Sequence, residues 1–270
     1  MSEHSVEHLY DLDKRYHEIG GKTVVTILAG GNGTRMRSSV PKVLHHFLGV
    51  PMLVKIIREC INLNPYKVIV VTGSFHDDII DTLERYHLTS SKIVTCQQKH
   101  QLGTGDAVKS TLHEYCENDC VVILNADMPA ITSEFLSNLV SQYKTTKKNM
   151  IVTCEVDNPT GYGRIVTDID DKVLRIIEEK DCSLKDKELN LINSGIYICC
   201  ARTLTTVVPK ILNDNAQKEY YLTSMVDVAT CYSDDFYSHK LLCGDNRLVC
   251  GVNTPEQLIQ LETSALQYRD

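Results

Sequence analysis

The sequence holds no long apolar run. Its longest, such as Cys120–Leu124, are the length of a strand, far short of the twenty or so residues a helix needs to cross a bilayer. Met1–Lys22 is acidic and rich in histidine and holds no apolar stretch, so no secretory signal is expected there and a cytoplasmic location without membrane attachment is. Positive charge is also scarce. Lys and Arg number 28 against 35 Asp and Glu, a net charge of -7, which argues against non-specific nucleic-acid binding, since that needs a cationic face. A local cluster of Arg, Lys and backbone N–H groups with a metal can still hold a nucleoside triphosphate. None of the 11 cysteines forms a C-x-x-C pair, and the adjacent Cys199 and Cys200 suit neither zinc nor a simple disulfide, so reduced, mostly buried thiols are expected. His45, His46, His100 and the N-terminal histidines follow no metal-binding spacing, which points to surface or packing roles.

What is present is an α/β pattern. At 270 residues and 43% hydrophobic content the chain can bury a sizeable core, as one large α/β domain or two small ones. Leu9, Leu12, Tyr16 and Ile19 recur at helical spacing before Gly20–Gly21, so residues 1–22 read as an extension carrying a short amphipathic helix. Strands are expected at Thr23–Leu28, Lys67–Val71, Lys92–Thr95 and Cys120–Leu124. Helices are expected at Met52–Leu63, Asp77–His87, Gly105–Cys116 and Ser133–Tyr143, the last opened by its own serine. Such alternation predicts a Rossmann-like, mostly parallel sheet flanked by helices. After it, Met150–Glu155, Gly163–Val166, Val173–Glu178 and Leu191–Cys199 read as strands with short turns, the mark of a mixed sheet, followed by helices near Tyr221–Thr230 and Pro255–Tyr268. No repeat or low-complexity linker divides the chain. One domain over 23–270 is expected, with a nucleotide lobe at about 23–149, a smaller sugar-binding lobe at about 150–252 and a C-terminal helix at 255–268.

The first chemical signal is Leu28-Ala29-Gly30-Gly31-Asn32-Gly33-Thr34-Arg35-Met36, directly after the first strand. Ligands of open α/β sheets bind at the carboxyl ends of strands. Glycines let the backbone approach phosphate oxygens and offer them N–H donors. Arg35 adds a planar cation, and Lys42, behind Pro41, adds a point charge. The third glycine of a dinucleotide fingerprint is missing and no Gly-Lys-Ser/Thr follows, so the turn is neither that motif nor a Walker A loop. Asn125-Ala126-Asp127-Met128-Pro129 lies at the end of the strong Cys120–Leu124 strand. A carboxylate there, beside a phosphate loop, is a natural Mg²⁺ ligand, although a strand-end Asp alone is more often a turn residue.

Together with Pro41-Lys42-Val43-Leu44, the glycine turn resembles the L-x-x-G-x-G-T-R-M…P-K signature of the sugar-1-phosphate nucleotidyltransferases. From about Val24 to Gln260 the chain is similar to the uridyltransferase domain of the bacterial bifunctional N-acetylglucosamine-1-phosphate uridyltransferases. The resemblance implies the nucleotide-diphospho-sugar transferase type of fold. It also implies a nucleotide site formed by Leu28, Ala29, Gly30, Gly31, Gly33, Thr34, Gln98, Gly103, Thr104 and Asn125. Gln98 and Gln101-Leu102-Gly103-Thr104-Gly105-Asp106-Ala107 match Q-x-x-Q-L-G-T-G-x-A, in which the first glutamine and the Gly-Thr pair read uracil. Asn158-Pro159-Thr160-Gly161-Tyr162-Gly163-Arg164, Glu178, Asn193 and Glu219-Tyr220-Tyr221-Leu222-Thr223 carry over a sugar site of Gly163, Glu178, Asn193, Glu219, Tyr221 and Thr223. Tyr221 and Thr223 point to an N-acetylated sugar. Gly251-Val252-Asn253 adds Asn253 to Asp127 as a metal ligand. Ala126 and Ser194 stand where the family has glycine and threonine.

The activity so implied is Mg²⁺-dependent transfer of UMP from UTP to N-acetylglucosamine-1-phosphate, giving UDP-N-acetylglucosamine and pyrophosphate, with Arg35 and Lys42 as catalytic cations. Hexapeptide repeats of an acetyltransferase are absent, so acetyl transfer is not expected. Alternatives are the same fold acting on glucose-1-phosphate or dTTP, a catalytically silent binding or regulatory relative, and, more distantly, a nicotinamide-dependent dehydrogenase. Assembly as a homo-oligomer stays open.

Overall fold

A computed structural model describes residues 21–31, 33–242 and 245–267. The amphipathic helix expected before Gly20–Gly21 lies outside them, and of the extension only Gly21 and Lys22 are described. The strands are β1 (Thr23–Leu28), β2 (His46–Phe47), β3 (Val50–Pro51), β4 (Lys67–Thr72), β5 (Ile93–Gln97), β6 (Cys120–Asn125), β7 (Asn149–Glu155), β8 (Arg164–Thr167), β9 (Val173–Ile177), β10 (Leu191–Cys200) and β11 (Phe236–Lys240). The helices are α1 (Met52–Asn62), α2 (His76–Arg85), α3 (Thr104–Lys109), α4 (Ser133–Thr146), α5 (Ala201–Val207), α6 (Met225–Thr230) and α7 (Pro255–Gln267). None is long and apolar enough to cross a membrane.

One sheet runs through both halves of the chain in the order β11-β7-β10-β6-β1-β4-β5. Its β6-β1-β4-β5 half and the β7–β11 edge are parallel, while β10 runs antiparallel to both β6 and β7. Strand β6 illustrates why these residues make a central strand. Val121 and Ile123 face one apolar cluster with α3, α5 and α6, and Val122 and Leu124 face another with α1, α2 and α4. Helices thus cover both faces of the sheet, and β-branched residues satisfy both. The α/β, mostly parallel architecture expected from the sequence is the one found.

Local details differ from the sequence reading. Helix α4 is capped by Thr132, whose side-chain oxygen accepts the Phe135 N–H, with Ser133 already inside. The Gly105–Cys116 helix is shorter, ending at Lys109 before a separate 3₁₀ turn at Leu112–Glu114. The Tyr221–Thr230 helix opens as a 3₁₀ turn over Leu222–Ser224. Helix α5 and strand β11 were not anticipated. Ten described cysteines are free, and five of them are buried, Cys60, Cys96, Cys120, Cys154 and Cys199.

Helix α7 returns to the first half of the chain. Val252 and Leu261 pack with Phe47 and Met52, and Glu262 accepts the Leu48 N–H at 2.6 Å. This packing pulls the Gly251–Asn253 loop over the carboxyl end of the sheet, where the site forms.

Candidate active site

Leu28 and Asn125 are register partners at the carboxyl ends of β1 and β6. The chain leaving β1 turns through the glycines into two 3₁₀ turns, Thr34–Met36 and Lys42–Leu44. Gly33, at φ 58°, is required by that path. A Cβ there would lie 2.3 Å from the Lys42 Cβ, so the glycine turn packs directly on the lysine.

Two cavities meet at these strand ends. The first, about 320 Å³, is lined by Leu28, Gly30, Gly31, Lys42, Gln98, Gln101, Gly103, Thr104, Asn125, Asp127 and Glu219. The second, about 350 Å³, is lined by Arg35, Tyr162, Gly163, Glu178, Asn193, Tyr197, Thr223 and Asn253. Leu28, Thr104, Asn125 and Asp127 line both, so one ligand placed across the junction reaches either side.

At the junction Lys42 Nζ donates to Asp127 Oδ2 at 2.5 Å and to Asn253 Oδ1 at 3.1 Å, and Arg35 Nη2 donates to the same Asn253 oxygen at 2.8 Å. The Val252 N–H donates to the Asp127 carbonyl at 2.8 Å, which locks the two loops together. Two hard oxygen donors from distant parts of the chain therefore converge on one cationic centre, here an ammonium. That donor set suits a small divalent ion, which takes one or two protein oxygens and fills the rest of its shell with phosphate and water.

The second cavity is built on polar cross-links. Thr223 Oγ1 donates to Glu178 Oε1 at 2.8 Å, Asn193 Nδ2 donates to the Tyr197 hydroxyl at 2.8 Å, and the Asn193 N–H donates to the Gly163 carbonyl at 2.9 Å. Burial holds the Glu178 carboxyl above the usual carboxylate range, with Thr223 opposing and Asp181 and Glu219 reinforcing the shift. Its neighbour Glu179 turns away. It pairs with Arg164 Nη2 at 2.8 Å and accepts the Gly161 N–H at 3.2 Å, while Arg164, buried, also donates to the Tyr162 carbonyl. This pair ties down the turn that presents Tyr162 and Gly163 to the cavity.

Most of the residues singled out from the sequence gather here, and some do not. Ala29 is buried and donates its N–H to the Val71 carbonyl, so it extends the sheet and lines neither cavity. Gly33 supports Lys42 from behind. Thr34 contributes the backbone of the first 3₁₀ turn. Glu219 lines the first cavity, and it is absent from the second, where the sugar reading put it. The cause is a backbone pairing. The Tyr220 N–H donates to the Leu102 carbonyl and the Gly105 N–H to the Tyr220 carbonyl, both at 2.7 Å, which docks the Glu219–Tyr220 stretch onto the Gly103–Thr104 loop. Tyr221 is buried beneath the wall without lining either cavity, its hydroxyl pushed up to about 12 by burial and the nearby carboxylates Asp181, Glu178 and Glu219. Gln101, Tyr162 and Tyr197 line the cavities without having been singled out. The first two lie inside the motifs, and only Tyr197 carried no signal.

Comparison with known proteins agrees with this geometry. A mimivirus protein (Acanthamoeba polyphaga mimivirus) named "Probable UDP-N-acetylglucosamine pyrophosphorylase" is 39% identical over 249 residues, covering 91% of this chain and 97% of that protein. The "Bifunctional protein GlmU" of Alkaliphilus metalliredigens is 38% identical over 243 residues, covering 89% of this chain and 51% of that protein. The chain thus spans about half the length of the bifunctional relatives it matches. A solved UDP-glucose pyrophosphorylase complexed with UDP-glucose superposes with a TM-score of 0.72 at 16% identity, over 92% of this chain and all of that one, which shows a common fold. Residues 25–228 match the model of the MobA-like NTP transferase domain, and the chain belongs to that family of nucleotidyltransferases.

Proposed function

We propose that this nucleotidyltransferase joins UTP to N-acetylglucosamine-1-phosphate, with the first cavity taking the nucleotide and the second the sugar. The observation that carries the reading is the shared wall. Asp127, Lys42, Arg35 and Asn253 stand where the two cavities meet, which is where two phosphates would react. A sugar-phosphate oxygen attacks the α-phosphorus of UTP, one P–O bond forms, the bond to the β-phosphate oxygen breaks and pyrophosphate leaves. The nucleophile is already ionised at neutral pH, so no general base is needed. Lys42 and Arg35 neutralise the approaching anions and align them. Asp127 and Asn253 would hold Mg²⁺, which when bound supplies charge neutralisation between the two phosphates.

Glu178 and Asn193 orient sugar hydroxyls in this reading. Glu178→Gln is expected to raise KM for the sugar-1-phosphate about tenfold, the worth of one charged hydrogen bond, and to leave KM for UTP unchanged. The ionised acceptor exists above the raised pKa of Glu178 and is lost as pH falls through it. In the wild-type protein that KM should therefore climb on acidification, while Glu178→Gln stays flat. A shared slope would remove Glu178 from the sugar site.

The nearest alternative keeps the chemistry and changes the sugar. With Glu219 and Tyr221 outside the second cavity, Thr223 alone supports the N-acetyl group. Pyrophosphate release measured over a matrix of nucleoside triphosphates and sugar-1-phosphates decides between them. A maximum with UTP and N-acetylglucosamine-1-phosphate is expected. A maximum with glucose-1-phosphate would overturn the sugar assignment, and no release with any pair would overturn the activity.

A further inference from the structure

Gln98 is almost fully buried, 7% exposed, and its backbone N–H is fixed on the Thr72 carbonyl at 2.8 Å. Its side-chain Nε2 carries two hydrogens, and both are used. One goes to the Gly103 carbonyl at 3.2 Å and one to Asp106 Oδ2 at 2.7 Å. A carbonyl and a carboxylate can only accept, so the identities of the partners fix which end of the carboxamide is nitrogen. Turning the amide over would set Oε1 against two acceptors. In the orientation found, Oε1 lies on the Gly30 side, 3.4 Å from where a Cβ on that glycine would sit, and both residues line the first cavity.

We propose that Asp106 is a positioning residue for base selection: it locks the Gln98 carboxamide with its oxygen toward the base, so that the cavity accepts uracil and rejects cytosine. Uracil presents a ring N–H between two carbonyls, and a fixed acceptor pairs with it. Cytosine presents a bare ring nitrogen at the same place, and a fixed acceptor repels it. Asp106 stands on the one position of the Gly103–Ala107 stretch that the family pattern leaves open, so the resemblance assigns it no role. The inference rests on the reading of the first cavity as the nucleotide site.

The test compares wild type, Asp106→Leu and Asp106→Asn in two measurements, calorimetric binding of UMP and CMP and kcat/KM with UTP and CTP. Leucine fills the space and removes the closer acceptor, leaving only the Gly103 carbonyl at 3.2 Å to oppose a turned amide. The uridine-to-cytidine ratio should therefore fall about tenfold, by gain of cytidine as well as loss of uridine. Asparagine can accept the same hydrogen through its own oxygen and should keep most of the preference. The ratio does not depend on how much of a preparation is folded. A wild-type ratio in Asp106→Leu would overturn the lock while leaving the nucleotide site in place, as would equal loss in both variants. A wild-type protein without uridine preference would overturn the nucleotide reading itself, and the lock with it.

Discussion

Asp127→Asn should lower turnover by about 10²- to 10³-fold at saturating metal, a loss comparable to removal of one preorganised transition-state contact. Among the described residues Asp127 is the only acid that lines both cavities. It is also the only charged member of the oxygen pair that converges with Asn253 on the cationic centre. The substitution keeps the shape and removes the charge, so the fold should survive. The Val252 N–H still finds the backbone carbonyl of residue 127, and the loops stay joined. The Lys42 ammonium, 13% exposed, loses its carboxylate, and the thermal midpoint should fall by a few degrees. Turnover is read as pyrophosphate release under single-turnover conditions, and folding as the circular-dichroism melt. Wild-type turnover in Asp127→Asn would remove Asp127 from the chemistry. A melt below assay temperature would show instead that the pair holds the fold.

Much of this site was legible in the sequence because its parts sit at strand ends. Gly30, Gly31, Asn125 and Asp127 each follow a largely β-branched apolar run, and a run buried on both faces has one functional end. Strand boundaries were close for the same reason. What escaped was set by contacts between segments far apart in the chain. Glu219 is carried to the first cavity by the Tyr220 backbone pairing with Leu102 and Gly105, and main-chain pairing leaves no trace in residue type. Asp106 stood inside a motif with no role of its own, and only the placement of Gln98 against it gives it a partner. Strand β11, Phe236–Lys240, lies on the sheet edge with mixed burial, so it shows no clean alternation to detect. Thr132 lost the capping position to Ser133 in the sequence reading because either residue type serves.

Lys42→Met should separate two properties that an ordinary loss of function would move together. The Lys42 ammonium lies between Asp127 Oδ2 and Asn253 Oδ1, at 2.5 and 3.1 Å. A divalent ion bound by those oxygens must displace it, because two cations cannot share one carboxylate oxygen at such distances without strong repulsion. Metal binding in the absence of nucleotide is therefore opposed by Lys42. On the proposed reading the displaced side chain then meets the phosphates, so one residue would both oppose the metal and serve the reaction. Methionine removes the charge and keeps much of the volume. Mn²⁺ followed by its paramagnetic signal should bind the variant about tenfold more tightly than the wild type, the worth of one charge-assisted hydrogen bond. Turnover should nevertheless fall about 10²-fold or more, since a cation aligned with the reacting phosphates is gone. Affinity rising while rate falls is the diagnostic pair. If Mn²⁺ affinity is unchanged or weaker, Lys42 does not compete with the metal. Normal turnover would mean that Arg35, which reaches the same Asn253 oxygen at 2.8 Å, supplies the needed charge alone.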